Sequence, residues 1–353
     1  MSVKVDPIVL NGAHGEGGGA LLRTAVAMAA LTQQPLRLHN VRGALRKPGV
    51  TSEDLTVIEA FADCSAARLD GAQVASMQFA FEPTRPPAPL RAAFDVHAHE
   101  KGVVPGNALI VLTSLLPVLA RAGAYSDLTV RGETHNQNTI GYDAFERSTL
   151  ALMRRFGLYV APRLVAPGFG YGGHGEVAAE VEPSSLEPVD WPARGELRSV
   201  HAVVTGGDMP EVELEKAAKR IRHLADEAGL DIESETVALA SRNKGATVTV
   251  WAEFETGIGS GTAALQRGGR IEDVADNAFY RFLEWYKTDA TVGAFLADQV
   301  LLVAAQTDGR TVLTVPKITR RLTTMAWVVR LFMPIHITIL GRLGEPGTLT
   351  IER

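Results

Sequence analysis

The order of apolar segments repeats along this chain, and the repetition is the strongest constraint on its fold. In the first unit the hydrophobic pattern predicts a strand, a helix, a strand, a helix and two strands, at residues 8–10, 20–31, 36–41, 53–62, near 67 and 77–81. The second unit has the same order at residues 94–98, 108–122, 128–131, 143–156, 158–162 and 176–181. Each βαβαββ unit must bury its sheet against helices, so the repeat predicts a layered α/β (α+β) fold.

A third unit is predicted near the C-terminus, after a segment of different character. Its elements are expected at residues 247–254, 290–305, 311–315, 322–332, 335–340 and 348–351. The preceding segment has prolines at 183, 188 and 192, typical of a linker, and a charged amphipathic helix at 210–228. We therefore predict repeats one and two at residues 1–184, a small inserted α/β domain at 185–275, and the third repeat completing the main domain at 276–353.

The composition is that of a globular protein and narrows the functional classes. Of the 353 residues, 46% are hydrophobic and 21% are charged, and no apolar run is long enough to span a membrane. The formal net charge of −5 gives no general attraction to polyanions, so any nucleic-acid contact must come from local basic clusters. The single cysteine, Cys64, excludes an intramolecular disulfide and, with no signal peptide in the sequence, indicates a cytoplasmic protein.

The segment between the first strand and the first helix, residues 12–19, is rich in glycine and is hereafter the glycine turn. Its five glycines permit positive φ values and the close approach of a ligand, and the free amides at the helix start favour an anion. The spacing fits neither the Rossmann nor the Walker phosphate motif. We expect the Glu16 carboxylate to contact a metal or hydroxyl group, or to act in acid–base chemistry, and not to be the bound anion itself. Arg23, about one turn into the helix, is expected to reach a phosphate.

Other polar clusters lie at the ends of predicted strands in each unit. They are Arg42, Arg46 and Lys47 in the first unit, the loop 134–138 in the second, and Lys317, Arg320 and Arg321 in the third. Ligands of α/β folds bind where adjacent strands end, and cations on one loop can clamp phosphates. Asp298 and Gln299 interrupt an apolar helix, which indicates that they face a neighbour or a cleft.

Together these motifs resemble the RNA 3'-terminal phosphate cyclase family over nearly the whole chain. The resemblance rests on segments 10–19, 22–23, 41–42, 47–49, 132–134, 168–169, 172–175, 267–269 and 292–299. It implies three βαβαββ units, like the C-terminal domain of translation initiation factor three, and an inserted smaller domain. Known members convert an RNA 3'-phosphate to a 2',3'-cyclic phosphate with ATP and a divalent metal, after a histidine has taken AMP.

The resemblance also implies a site. The candidate nucleotide- and phosphate-binding residues are His14, Gly17, Gly18, Gly19, Arg23, Arg42, Arg46, Asp298 and Gln299. Glu16 is a candidate catalytic residue and metal ligand. The implied cofactors are ATP and Mg²⁺ or Mn²⁺, and the implied partners are an RNA 3' end and a nucleotide.

The chain departs from the family pattern in this same pocket. Arg321 stands where the family has its nucleophilic histidine. A guanidinium stays protonated at neutral pH, so Arg321 can bind phosphate but cannot carry AMP. A second family arginine aligns with Leu45, and family glutamines align with Glu53 and Thr113.

We therefore expect a cyclase-like protein that acts at RNA 3' ends in RNA processing or repair, with the family's adenylylation lost or impaired. One alternative is an active ATP-dependent cyclase with a relocated nucleophile, for which His14 and His135 are the candidates. The other is a non-catalytic RNA-processing or assembly factor. The oligomeric state stays open.

Overall fold

The first two units each fold into a four-stranded sheet, as the repeat predicts. The computed structural model describes residues 6–99, 105–136 and 139–353. The strand orders are β1-β2-β4-β3 and β5-β6-β8-β7, each with one parallel pair followed by two antiparallel pairs. The strands β1 to β8 are Ile8–Asn11, Leu36–His39, Arg68–Asp70, Gln78–Glu82, Arg91–Asp95, Ser126–Gly132, Val160–Ala166 and Gly175–Val181.

The helices of these units pack against the sheets, and two of them are capped by the side chains of their N-cap residues. Helices α1 to α5 are Gly19–Thr32, Ser52–Ser65, Ala108–Leu119, Tyr142–Ala144 and Ala151–Arg155, with a π-helical segment at Phe145–Leu150 between the last two. The Thr51 hydroxyl accepts the Asp54 N–H at the start of α2, and the Asn107 side chain accepts two N–H groups at the start of α3. Such caps satisfy amides that have no partner within the helix.

The inserted segment forms a sheet and an apolar core of its own. Its sheet order is β10-β9-β11-β12, and the helices α6 and α7 cover it. The strands β9 to β12 are Leu197–Gly207, Glu233–Leu239, Gly245–Phe254 and Gly257–Ala264, and the helices are Glu211–Glu227 and Ile271–Tyr286. Ile221 of α6 packs in the same core as Phe279 and Phe282 of α7. The domain limits stay a prediction, but α7 crosses the expected boundary at residue 275 and packs with the insert.

The third unit differs from the sequence prediction in its first strand. Its elements are α8, β13, α9, β14 and β15 at Ala294–Ala304, Arg310–Val315, Arg320–Phe332, His336–Gly341 and Gly347–Glu352, with sheet order β13-β15-β14. The segment 247–254 was expected here but lies in β11, paired with β9 in the insert. The place beside β13 is taken by Thr291 and Val292, whose N–H groups donate to the Thr314 hydroxyl and carbonyl oxygens. An apolar pattern predicts a strand but does not specify its partner.

The helices of all three units share one core, and this brings the first and last units together. Leu21 of α1, Leu112 of α3, Val300 of α8 and Val328 of α9 belong to the same buried cluster. The fold class is therefore confirmed as mixed α and β, with several small sheets. Among the described residues, no helix has the length and apolar character needed to cross a membrane.

Candidate functional site

The glycine turn joins β1 to α1 and is closed by the first turns of α9. Gly15 has φ +61°, and a Cβ atom there would lie 2.1 Å from the Thr324 hydroxyl oxygen. Gly17 has φ +58°, and its Cβ would lie 2.3 Å from the Cβ of Ala44. Both positions therefore require glycine, for conformation and for space. The strand–turn–helix predicted for residues 8–31 is formed.

The Glu16 carboxylate caps the helix that follows the glycine turn. The N–H of Leu21 donates to Glu16 Oε1 at 3.2 Å, while the N–H of Glu16 donates to the Thr324 hydroxyl at 2.9 Å. The sequence expectation that Glu16 would not be the anion at these amides was wrong, because its own carboxylate accepts one of them. A phosphate at this helix start must share the amides with Glu16.

Arg321 lies in the first turn of α9, beside Asp298 of α8. Its Nε atom is 3.9 Å from Asp298 Oδ2, and its side chain is 48% exposed while that of Asp298 is 2% exposed. The Thr319 hydroxyl, which caps α9, donates to Asp298 Oδ1 at 2.9 Å. Asp298 Oδ2 is buried and has no hydrogen-bond partner within the described part of the chain. Arg321 therefore lies beside Asp298, on the helix whose Thr324 contacts the glycine turn.

Burial raises the pKa of the Asp298 carboxyl to about 7. Arg321 and the Thr319 hydroxyl lower the pKa and partly offset this effect, and the nearby Glu16 carboxylate raises it further. Since the folded state holds a proton that an unfolded aspartate loses near pH ~3.9, this group favours folding less as pH rises from about 4 to about 7.

We expect Asp298→Asn to gain stability relative to the unaltered chain as pH rises through this window. The amide does not titrate, so the variant loses the pH-dependent cost of burying a carboxylate. Urea unfolding at about pH 5 and about pH 8 measures the difference between the two proteins at each pH. A stability gain of Asp298→Asn that is equal at the two pH values, or smaller at the higher pH, would contradict the raised pKa of the Asp298 carboxyl.

Arg23 and Arg42 meet at a buried aspartate that sequence reasoning missed. Arg23 Nη1 lies 2.6 Å from Asp54 Oδ1 and 3.1 Å from Glu53 Oε1, and Arg42 Nη1 lies 3.3 Å from Asp54 Oδ2. We name Arg23, Arg42, Glu53 and Asp54 the arginine–carboxylate cluster. Burial alone would lower the Arg23 pKa, but the two carboxylates raise it above its ordinary value. The predicted pair of phosphate-binding arginines is thus brought together, with carboxylates already bound to it.

The other candidate residues have different surroundings. The His14 ring is exposed and stacks on Trp327 of α9, with centroids 3.9 Å apart. Arg46 is exposed on the loop after β2. Gln299 accepts a hydrogen bond from the Thr149 hydroxyl in the π-helical segment, so its amide is engaged away from the Asp298 carboxylate. Phe295, one turn before Gln299, is 67% exposed and adds an aromatic surface at the start of α8.

His135 lies in a buried environment of a different kind. Its ring stacks on Phe169 at 4.5 Å, and Nδ1 shares a 2.8 Å hydrogen bond with the Thr134 hydroxyl. Burial lowers its pKa to about 3. An imidazole enclosed in this way has no open face for a phosphate to approach. Gln137 and Asn138, in the same predicted polar loop, lie outside the described residues.

The described residues contain no cluster of three or more histidine, cysteine, aspartate and glutamate side chains suited to a metal ion. Glu16 is the candidate carboxylate from the sequence. Mg²⁺ is commonly held by one or two carboxylates together with nucleotide phosphates, and a single Glu16 oxygen fits that arrangement. The metal assignment accordingly stays a prediction that depends on a bound nucleotide.

The fold and the site define an α+β protein built from three similar units and an insert, with its candidate site where the first and last units meet. The sequence model of the family described as RNA 3'-terminal phosphate cyclase matches residues 14–339. The chain belongs to the RNA 3'-terminal phosphate cyclase family.

Individual relatives support this assignment. The RNA 3'-terminal phosphate cyclase of Methylococcus capsulatus is 33% identical over 341 residues, covering 96% of this chain and 94% of that protein. The protein of the same name from Methanopyrus kandleri is 30% identical, covering 98% of both chains. A solved structure, the enolpyruvyl transferase NikO from Streptomyces tendae, aligns with TM-score 0.39 and 14% identity over 98% of this chain and 49% of that one. A similarity at that TM-score carries no conclusion about fold or function.

Proposed function

We propose that this chain binds RNA 3' ends and nucleotide in the pocket between the glycine turn and α9, and that it has lost or strongly weakened histidine-dependent adenylylation. The observation that carries the proposal is the position of Arg321, which the family resemblance aligns with the nucleophilic histidine and whose Nε atom lies 3.9 Å from Asp298 Oδ2. A guanidinium has no free lone pair at neutral pH, but its paired N–H donors suit a phosphate. In this view the protein acts in RNA processing or repair, in the cytoplasm.

The remaining candidates have binding roles in this proposal. The Gly17 N–H donates to the His14 carbonyl oxygen at 2.8 Å and is not free for a ligand. The amides of Gly18 and Gly19 and the start of α1 would face the phosphate of a nucleotide, and Glu16 would hold Mg²⁺ or Mn²⁺ beside it. Arg321 and the exposed Arg46 supply positive charge for an RNA phosphate. Phe295 provides a ring on which a base can stack.

A second candidate function is favoured by the position of His14. This imidazole is exposed, lies in the glycine turn and is held by stacking on Trp327. It would be the nucleophile of an active ATP-dependent cyclase that no longer uses α9. His135 does not support this function, because its ring is buried against Phe169. A non-catalytic assembly factor is the third candidate. It would bind RNA with the same affinity whether or not a 3'-phosphate is present.

The proposal is tested with two oligonucleotides of one sequence, ending in a 3'-phosphate or a 3'-hydroxyl. We expect the phosphorylated oligonucleotide to bind on the order of tenfold more tightly, since a charge-assisted hydrogen bond contributes about 1.5 kcal/mol or more. Arg321→Ala should remove the preference, whereas Arg330→Ala, at the far end of α9, should keep it. Fluorescence anisotropy measures the binding, and chromatography of the product detects cyclisation.

Each outcome separates the candidates. Equal binding of both oligonucleotides by the unaltered chain would overturn the proposal and favour an assembly factor. Conversion of the 3'-phosphate to a 2',3'-cyclic phosphate with ATP would favour the active cyclase. Loss of that conversion in His14→Ala would then identify the relocated nucleophile.

A further inference from the structure

Asp54 occupies the position at which the two arginines would hold a phosphate. Its side chain is fully buried, and each of its oxygens faces a different guanidinium, Arg23 at 2.6 Å and Arg42 at 3.3 Å. Oδ2 also accepts the Thr51 hydroxyl at 2.8 Å. A carboxylate with two oxygens bound by two arginines has the geometry of a bound anion.

Helix capping alone does not explain this aspartate. Thr51 already caps α2 through its hydroxyl, which accepts the Asp54 N–H at 3.1 Å. An acidic residue in the first turn of a helix is favourable at the surface, but this side chain is buried between α1 and the loop after β2. Its arginine partners come from outside its own helix, so the arrangement depends on tertiary structure.

Glu53 places a second carboxylate beside the positive charge of Arg23. Its Oε1 lies 3.1 Å from the Arg23 Nη1 that also contacts Asp54, and its Oε2 accepts the Asn107 N–H at 2.9 Å. Burial raises the Glu53 pKa, although the attraction of Arg23 lowers it. Two carboxylates therefore face two guanidiniums, and Glu16 is close enough to raise the Arg23 pKa as well.

The arginine pair retains one N–H donor that no described residue accepts. Arg42 Nε is buried and makes no hydrogen bond within the described part of the chain, and Arg42 has φ +52°, which is unusual for a residue other than glycine. A buried donor without an acceptor is costly, and backbone strain of this kind collects at binding sites. An incoming phosphate oxygen would satisfy this donor, but it must approach beside the Asp54 carboxylate.

We propose that Asp54, supported by Glu53, is a specificity-determining residue. Its carboxylate balances the positive charge of the Arg23–Arg42 pair, and the site therefore selects phosphate monoesters over nucleoside triphosphates. A triphosphate brings more negative charge next to the buried carboxylates than a monoester does, and the repulsion grows in a desolvated site. This inference deepens the proposed function, since it names the ligand class for the same pocket and rests on that pocket binding phosphate.

The test is a set of calorimetric titrations with ATP and with adenosine 3'-monophosphate, in EDTA and without RNA. The unaltered chain should bind the monophosphate at least as tightly as ATP. Asp54→Asn and Glu53→Gln each remove one negative charge with little change of shape, and each should raise ATP affinity roughly tenfold or more. Their effect on the monophosphate should be smaller. Asp63→Asn, an exposed aspartate on the same helix, is the matched control and should leave both affinities unchanged.

The inference is overturned if the unaltered chain prefers ATP, or if folded Asp54→Asn binds ATP no better than before. A fall in ATP affinity would mean that Asp54 positions the arginines for a polyphosphate. Should Asp54→Asn fail to fold, Glu53→Gln decides, because glutamine can still accept the Asn107 N–H. Labelling of the protein with AMP, or equal binding of RNA with and without a 3'-phosphate, would overturn the proposed function without changing this titration result.

Discussion

Replacing Arg321 by histidine is expected to give a protein that carries AMP covalently after incubation with ATP and Mg²⁺ or Mn²⁺, whereas the unaltered chain stays unlabelled. The imidazole nitrogen would attack the α-phosphorus, the bond to pyrophosphate would break, and the ring proton would pass to solvent. Asp298, now 3.9 Å from the Arg321 side chain, would lie beside the new ring and orient it. The measurement is acid-labile incorporation of label from ATP labelled at the α-phosphate.

Arg320→His is the matched control, since it places an imidazole on the neighbouring exposed residue of α9. It should remain unlabelled if position, and not the mere presence of histidine, decides the reaction. The double variant with Glu53→Gln covers the case in which weak ATP binding limits the Arg321→His protein. Stoichiometric acid-labile AMP on the unaltered chain would refute the loss of adenylylation.

Removing Arg23 is expected to destabilise the fold by roughly 3–5 kcal/mol, the cost typical of breaking a buried ion pair by deleting one partner. Arg23→Met keeps most of the apolar stem but leaves Asp54, whose side chain is fully buried, and Glu53 without their shared guanidinium. Arg42 remains as a partner of Asp54, which places the expected loss toward the lower end of the range. Chemical denaturation measures the change in the free energy of unfolding.

An exposed arginine provides the comparison. Arg310 also contacts two carboxylates, Asp190 and Glu352, but its side chain is 53% exposed. Arg310→Met is expected to cost within about 1 kcal/mol, because ion pairs in water gain little. If the two substitutions cost the same, the arginine–carboxylate cluster does not behave as a buried pair.

The fold of the first two units was accessible from sequence because local patterns determine it. The apolar run at residues 8–10, the glycine-rich break at residues 12–19 and the apolar pattern at residues 20–31 predict β1, the turn and α1. The third unit was harder, since β11 has an apolar pattern that suits any sheet. Its partner is set by packing with β9 and with α7, contacts that no local pattern describes.

Within the site, the role of Asp54, which was missed, and the orientation of Gln299 depend on contacts across the sequence. Asp54 lies three residues after Thr51, a spacing that is ordinary at the start of a helix, and only the approach of Arg23 and Arg42 gives it another role. Gln299 follows Asp298, yet helical geometry turns its amide toward Thr149. Adjacent residues on a helix do not share a face, and that spacing was a signal available beforehand.

The hydrogen bond from the Glu16 N–H to the Thr324 hydroxyl joins residues 308 positions apart. A ribosome that adds about 5–20 residues per second needs roughly 15–60 s to make the chain between them. Throughout that interval the glycine turn is present on the nascent polypeptide without the α9 surface that closes it. The contact between the glycine turn and α9 consequently forms only near the end of translation, and an unfinished chain lacks the candidate site that this contact completes.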